Sequence, residues 1–244
     1  MAVTFASSKQ RVEAVPAWLL HSYPYKETSL IVETFSRQHG RVALVARGAR
    51  RPMSALRGSL LAFQPLELSW FGAGELKTLH AAEWQGGVPQ LAGLPLLCGF
   101  YLNELLLKLL PREDGHGRLF EAYDRAVRAL AQPGQDVEPV LRRFERVLAA
   151  ELGYGFALDR DLAGRPIEPD DNYRFVPGRG LVPAEGESAG VLVRGRTLAA
   201  MAADDYSDPQ STQQAKQLMR ALLAELLGDT PLHTRKILRD LYQL

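Results

Sequence analysis

Six arginines, Arg37, Arg41, Arg47, Arg50, Arg51 and Arg57, fall between Thr34 and Leu66 with no Asp or Glu among them. A guanidinium is planar, always charged, and able to bridge phosphate oxygens or lie flat on an exposed base, so such a run suits a polyanion. Arginine outnumbers lysine twenty-three to six over the whole chain. The charge is also uneven along it. Residues 1–83 carry ten Lys and Arg against six Asp and Glu, whereas residues 84–244 carry nineteen against twenty-two, so a net charge of +1 conceals a basic first third. Binding of a single strand combines a charged groove with side chains that stack on bases. Tyr23, Tyr25, Phe35, Trp70 and Phe71 are the aromatic candidates in the same segment. A solvated face can also carry clustered arginines, and each aromatic taken singly reads better as core. The acid-free charge asymmetry is what favours a binding role for the arginines.

A second basic group stands at Arg142, Arg143 and Arg146, whose spacings of one, three and four make them neighbours on the surface of a helix. Leu141, Phe144, Leu148 and Leu152 form the adjoining apolar stripe. Basic residues beside an apolar groove fit an acidic peptide ending in a bulky apolar side chain. An ordinary amphipathic helix has the same pattern, and from the residues alone that reading stands first.

Catalytic chemistry finds no comparable footing. There is no Gly-Lys dipeptide, so a phosphate-binding P-loop is excluded, and no G-x-G-x-x-G follows a strand. His21, His39, His80, His116 and His233 are scattered, and Cys98 is the single cysteine, so local spacing builds no soft metal site and no internal disulfide. Asp159 with Asp161, and the pairs Asp170-Asp171 and Asp204-Asp205, have the makings of a hard-cation site, but turns and helix caps are the commoner use of aspartate. No cofactor is expected.

The elements that must position these residues change character along the chain. Up to Glu83 the sequence reads as short β-rich runs at 17–22, 29–35, 41–47, 66–71 and 76–82, with Leu66, Leu68 and Trp70 sharing one face. Gly40 and the Gly72/Gly74 pair mark reversals. Arg37 and Arg41 then flank a turn, while Arg47, Arg50, Arg51 and Arg57 lie on the connection after the third strand. Closing five strands into a Greek-key barrel removes most exposed edges. Helical spacing follows at 94–110, 118–131 and 137–152. A Gly-, Pro- and Asp-rich stretch with strand-like pieces at 173–176 and 190–193 comes next, then helices at 212–227 and 232–241. The expected fold is therefore α+β: a five-stranded OB-fold barrel at 1–84, then a helical domain at 85–244 with a small irregular β-containing insertion at about 156–195. The apolar run 94–102 is far shorter than the ~20 residues a bilayer requires. Residues 1–10 show no signal-peptide pattern, and a reducing cytoplasm is the expected compartment.

Several segments, in order, resemble the RecO family of bacterial recombination mediators. They are Leu19-Leu20-His21-Ser22, Tyr25-Lys26-Glu27-Thr28-Ser29-Leu30, the run from Gly40 to Arg50, and Leu76-Lys77-Thr78-Leu79 with Ala82-Glu83. Beyond the barrel the match continues through Tyr101-Leu102-Asn103-Glu104-Leu105-Leu106, Leu141-Arg142-Arg143-Phe144-Glu145 and Leu152-Gly153-Tyr154-Gly155. The resemblance implies an OB-fold joined to a helical domain, binding single- and double-stranded DNA and promoting annealing without nucleotide hydrolysis. It implies work with RecR, contact with the acidic C-terminal tail of single-stranded DNA-binding protein, and help in loading RecA, in the nucleoid-associated cytoplasm and away from membranes. By position it makes Arg47 and Arg50, around Gly48, and Arg57 the family's basic residues. Arg37, Arg41, Arg51 and Lys77 complete the expected DNA-binding set. Arg142 becomes the leading candidate for the tail contact, beside Arg143, Phe144 and Arg146.

Two departures stand out. Many members carry a four-cysteine zinc module in the region of residues 156–180, and this chain has no cysteine there, so no zinc is expected. In Pro231-Leu232-His233-Thr234-Arg235, His233 replaces a lysine, which weakens any anion contact at neutral pH. The competing readings are an adaptor whose helical domain docks acidic tails with little DNA binding of its own, and a hydrolase with a dispersed site.

Overall fold

Five strands fill the N-terminal segment: β1 (Arg11–Tyr25), β2 (Ser29–Ser36), β3 (Gly40–Ala46), β4 (Pro65–Phe71) and β5 (Leu76–Trp84). In the computed structural model, which describes residues 11–185 and 189–242 with side chains as far as Ile237, they close into a barrel in the order β1-β2-β3-β5-β4. Residues 1–10, read above for targeting, lie outside the described residues. The β3–β5 pairing is parallel and the others antiparallel, so the N-terminal domain is the expected five-stranded OB-fold.

β1 serves two neighbours because it bends. Its register shifts between Val12 and Val15 against β4 and between Leu19 and His21 against β2. At the first shift Ala14 takes a φ of 53° and its N–H donates to Ser69 Oγ at 3.0 Å. Bulges of this kind kink a strand and increase its twist, which lets one strand close a barrel. Alternation then fills the interior: Leu66, Leu68 and Trp70 of β4 meet Val32 of β2 and Val42, Leu44 and Ala46 of β3. A short helix, α1 (Ala55–Ser59), interrupts the β3–β4 connection.

The next two helices, α2 (Gly93–Leu109) and α3 (Gly117–Leu130), pack with the barrel. Trp18 meets Tyr123 edge-on at 5.7 Å, and Phe35 lies 5.6 Å from Phe120. A polar chain crosses this apolar layer. The Tyr123 hydroxyl donates to Asn103 Oδ1 at 2.5 Å, and Asn103 Nδ2 donates to the Leu20 carbonyl at 2.8 Å. The α2–α3 connection is seated on the β2–β3 turn, where Glu113 N–H donates to the Arg41 carbonyl at 2.9 Å. Gly40, with φ 58°, is required there because a Cβ would collide with the Asp114 carbonyl oxygen.

By packing, the described residues form two compact units divided after Gln132, although the periodicity of the chain changes from strand to helix near residue 84. The second unit contains α4 (Val137–Glu151), β6 (Asn172–Val176), β7 (Gly180–Pro183), β8 (Val191–Arg194), α5 (Gly195–Ala202), α6 (Pro209–Leu227) and α7 (His233–Tyr242). The strands form a sheet in the order β7-β6-β8, and Tyr173, Phe175 and Val193 pack in one core with Leu218, Met219 and Leu222 of α6. Asp161 ties the turn before this sheet: its carboxylate accepts from the N–H groups of Ala163 and Arg165, both at 2.9 Å, and from Arg165 Nε at 2.8 Å. Among the described residues no helix is long and apolar enough to cross a membrane.

Candidate nucleic-acid interface

The seven basic residues expected to meet DNA separate into three groups. Arg47, Arg50, Arg51 and Arg57 are exposed on the β3–β4 connection and have no acidic partner among the described residues. The turn that opens the connection is built around Gly48, whose φ of 69° suits glycine, and Arg51 N–H closes it on the Gly48 carbonyl at 3.0 Å. Arg50 has a second task. Its backbone N–H donates to the Thr28 carbonyl at 2.8 Å, and its guanidinium donates to the Lys26 and Glu27 carbonyls at 3.4 and 3.3 Å, fastening the connection to the β1–β2 turn. Between these arginines Met53 stands 97% exposed.

Arg37 is exposed but ion-paired with Glu121 of α3 at 2.6 Å. Arg41 and Lys77 do not offer their charge to solvent as expected. Arg41 lies between the Leu107 carbonyl, to which it donates, and buried Glu33, 3.9 Å away and also paired with Arg112. Burial pushes the Arg41 guanidinium below its usual pKa, opposed by the Glu33 charge. Lys77 is 6% exposed, because its side chain points to the barrel end. There its ammonium donates to Glu113 and to the Gly74 carbonyl, beside a cavity of about 190 Å³ walled by His39 and Trp70.

The five aromatics also divide. Phe35 and Trp70 are core, at 0% and 1% exposure. Phe71 and Tyr25 are half-buried, and Tyr23 is exposed at the β1 end nearest the arginine connection. Lys26, absent from the expected set, is exposed on the β1–β2 turn with its ammonium 5.4 Å from the Tyr25 ring centre. Its neighbour Glu27 masks it in a reading of net charge.

In the second unit, the surface patch expected on α4 is corrected. Arg142 is 4% exposed and pairs with buried Glu145 at 2.6 Å, while Phe144 is core at 1%. Arg146 is half-buried and donates to the Met201 carbonyl. Arg143 is the exposed member, held by Asp204 through two contacts of 2.8 and 2.7 Å. Helical spacing makes the three neighbours along the helix, but each is engaged separately: Arg142 by Glu145 of its own helix, Arg146 by the end of α5, and Arg143 by the turn after it.

Among the described residues no three His, Cys, Asp or Glu side chains cluster to hold a metal ion. Residues 186–190 read Gly-Glu-Ser-Ala-Gly, the G-x-S-x-G pattern of a nucleophile elbow, which needs a strand-to-helix turn. Here the pattern falls between two strands, β7 and β8, and residues 186–188 lie outside the described residues.

Comparison with known sequences decides the family. The pattern of Recombination protein O N terminal matches residues 12–87, and that of Recombination protein O C terminal matches residues 93–236. The chain belongs to the RecO family. The DNA repair protein RecO of Aromatoleum aromaticum is 52% identical to this RecO-family chain over 241 residues, covering 98% of it and 100% of the relative. That of Dechloromonas aromatica is 53% identical over 239 residues, covering 97% and 99%. That of Ralstonia nicotianae is 53% identical over 242 residues, covering 98% and 88%. RecO membership places the chain in DNA repair and recombination.

Proposed function

We propose that this chain is a recombination mediator that binds single- and double-stranded DNA through the arginine connection of its barrel and promotes strand annealing without turnover of its own. With RecR it helps load RecA onto DNA coated by single-stranded DNA-binding protein, in the nucleoid-associated cytoplasm. The observation that carries this reading is the set Arg47, Arg50, Arg51 and Arg57, exposed on one connection with no acidic partner among the described residues. Arg37 can join them by exchanging Glu121 for a phosphate, whereas Arg41 and Lys77 act by holding the barrel end together. The acidic tail of single-stranded DNA-binding protein meets the second unit at Arg143, with Arg142, Phe144 and Arg146 supporting the helix from within. The test is a fluorescence-anisotropy titration with a labelled single strand at two salt concentrations, comparing wild type with Arg47→Glu/Arg51→Glu. Salt-sensitive binding that the variant loses supports the reading. Unchanged affinity in a folded variant moves DNA to another surface, and tight binding of a tail peptide with negligible DNA affinity favours the adaptor.

A further inference from the structure

At the apex of the arginine connection the chain presents an apolar side chain to solvent. Ser54 N–H donates to the Arg51 carbonyl at 3.1 Å, so Arg51–Ser54 is a tight turn with Pro52 and Met53 as its two central residues. Proline suits the first of these because its ring fixes φ near the value the turn requires. Met53 follows at 97% exposure, whereas Leu162, the next most exposed large hydrophobic among the described residues, stands at 59%.

The apex is pinned from both sides. Before it, Ala49 is buried in the barrel core, and Arg51 N–H closes the Gly48 turn at 3.0 Å. After it, Arg57 N–H donates to the Ser54 carbonyl at 3.1 Å, and Leu56 and Leu60 pack against the same core. Exposed cations stand on either flank, Arg50 and Arg51 before the apex and Arg57 after it. A thioether held out on a fixed turn contributes almost nothing to the core, so its burial is left for a ligand to gain.

We infer that Met53 is a wedge that enters the base stack of duplex DNA where that stack is already broken, as at a nick, while Arg51 and Arg57 hold the phosphates on either side. The assignment rests on the arginine connection being the DNA contact. Apolar side chains inserted between base steps unstack them and kink the duplex, and the unbranched, polarisable methionine chain fits a narrow gap. The magnitudes decide which duplex is favoured. Burying one methionine releases free energy of the same order as unstacking one base step costs, so insertion adds no net affinity in a continuous duplex. At a nick one backbone is interrupted and the step opens at lower cost, so the burial is retained as affinity.

Anisotropy titrations of a nicked duplex and a continuous duplex of the same sequence test this in wild type, Met53→Ala and Met53→Leu, with a fluorescent adenine analogue beside the nick to report unstacking. Wild type is expected to bind the nicked duplex about tenfold more tightly than the continuous one, the range of one partly buried side chain. Met53→Ala removes that ratio and the fluorescence change while leaving the salt slope and the affinity for continuous duplex unaltered, and Met53→Leu keeps both. Because Met53 is almost fully exposed, truncation opens no core cavity, and matching melting temperatures verify the fold. Salt-sensitive binding of both duplexes with equal affinity in wild type, or a ratio that survives in Met53→Ala, overturns the wedge while leaving the arginine contact intact. Met53-dependent binding to anionic phospholipid vesicles without any preference for the nick also overturns it, assigning the apex to a membrane surface. Failure of wild type to bind either duplex overturns the arginine reading, and the wedge with it.

Discussion

Truncating Arg47, Arg51 and Arg57 together to alanine should change the salt dependence of DNA binding by a predictable amount. These three are chosen because their guanidinium groups bond no other side chain or carbonyl among the described residues, whereas that of Arg50 also fastens the β1–β2 turn. Each arginine that neutralises a phosphate of a single strand contributes about −0.7 to the slope of log affinity against log salt. Four of them give the connection a slope of about −2.8, and removing three leaves about −0.7. Between 50 and 200 mM salt, the connection's contribution in wild type then falls about fiftyfold, and that remaining in the variant about threefold. Anisotropy titrations at four or five salt concentrations measure the slope directly, and a thermal melt shows whether the variant is folded. A folded triple variant whose slope matches wild type would refute the reasoning, because it would mean that these charges never displace a counterion.

Other substitutions test the packing. Asn103→Leu removes the donor to the Leu20 carbonyl and the acceptor of the Tyr123 hydroxyl within a buried layer, and should cost about 2–4 kcal/mol in urea unfolding. Arg142→Ala deletes a buried cation beside buried Glu145 and should cost about 3 kcal/mol; a variant as stable as wild type would return Arg142 to the surface. Burial acts to raise the Asp161 pKa, but hydrogen bonds from Arg165 and Ala163 outweigh it and hold the carboxyl below its ordinary 3.8. A lowered folded-state value gives stability that is complete at neutral pH and is lost as pH falls through that value. Melting temperature should therefore drop below about pH 4, less steeply in Asp161→Asn, and parallel curves would contradict this.

Where the sequence misleads, the physical reason is a partner that spacing does not reveal. The interiors of β2, β3 and β4 are legible because alternation persists, and Leu66, Leu68 and Trp70 share a face as expected. The first half of β1 is not legible, because the bulge at Ala14 puts Val12 and Val15 out of phase. β7 and α5 are too short, at four and eight residues, for a period to show. Lys77 reads as available because alternation cannot tell a solvent-facing position from the barrel end, where Glu113 arrives from the α2–α3 connection. Arg142 carried its own warning: Glu138 precedes it by four residues and Glu145 follows it by three, so one helix face holds an acid on each side of the cation.

The same reasoning explains why the arginine window is informative only in part. A charge is free for a ligand when no fixed opposite charge lies near it in space, and an acid-free stretch of sequence guarantees that only where the chain stays local. The turn and connection holding Arg47, Arg50, Arg51 and Arg57 are such a place, since the β1–β2 turn meets Arg50 through its carbonyl oxygens and α1, which carries Arg57, lies against β5 through its apolar side chains. Arg37 and Arg41 sit instead beside the β2–β3 turn, where α3 and the α2–α3 connection pack. Glu121 reaches Arg37 from a distant helix, and Glu33, one residue outside the window, reaches Arg41. A basic window thus marks a binding surface where the chain leaves regular structure, and marks a buried ion pair where a later element packs back upon it.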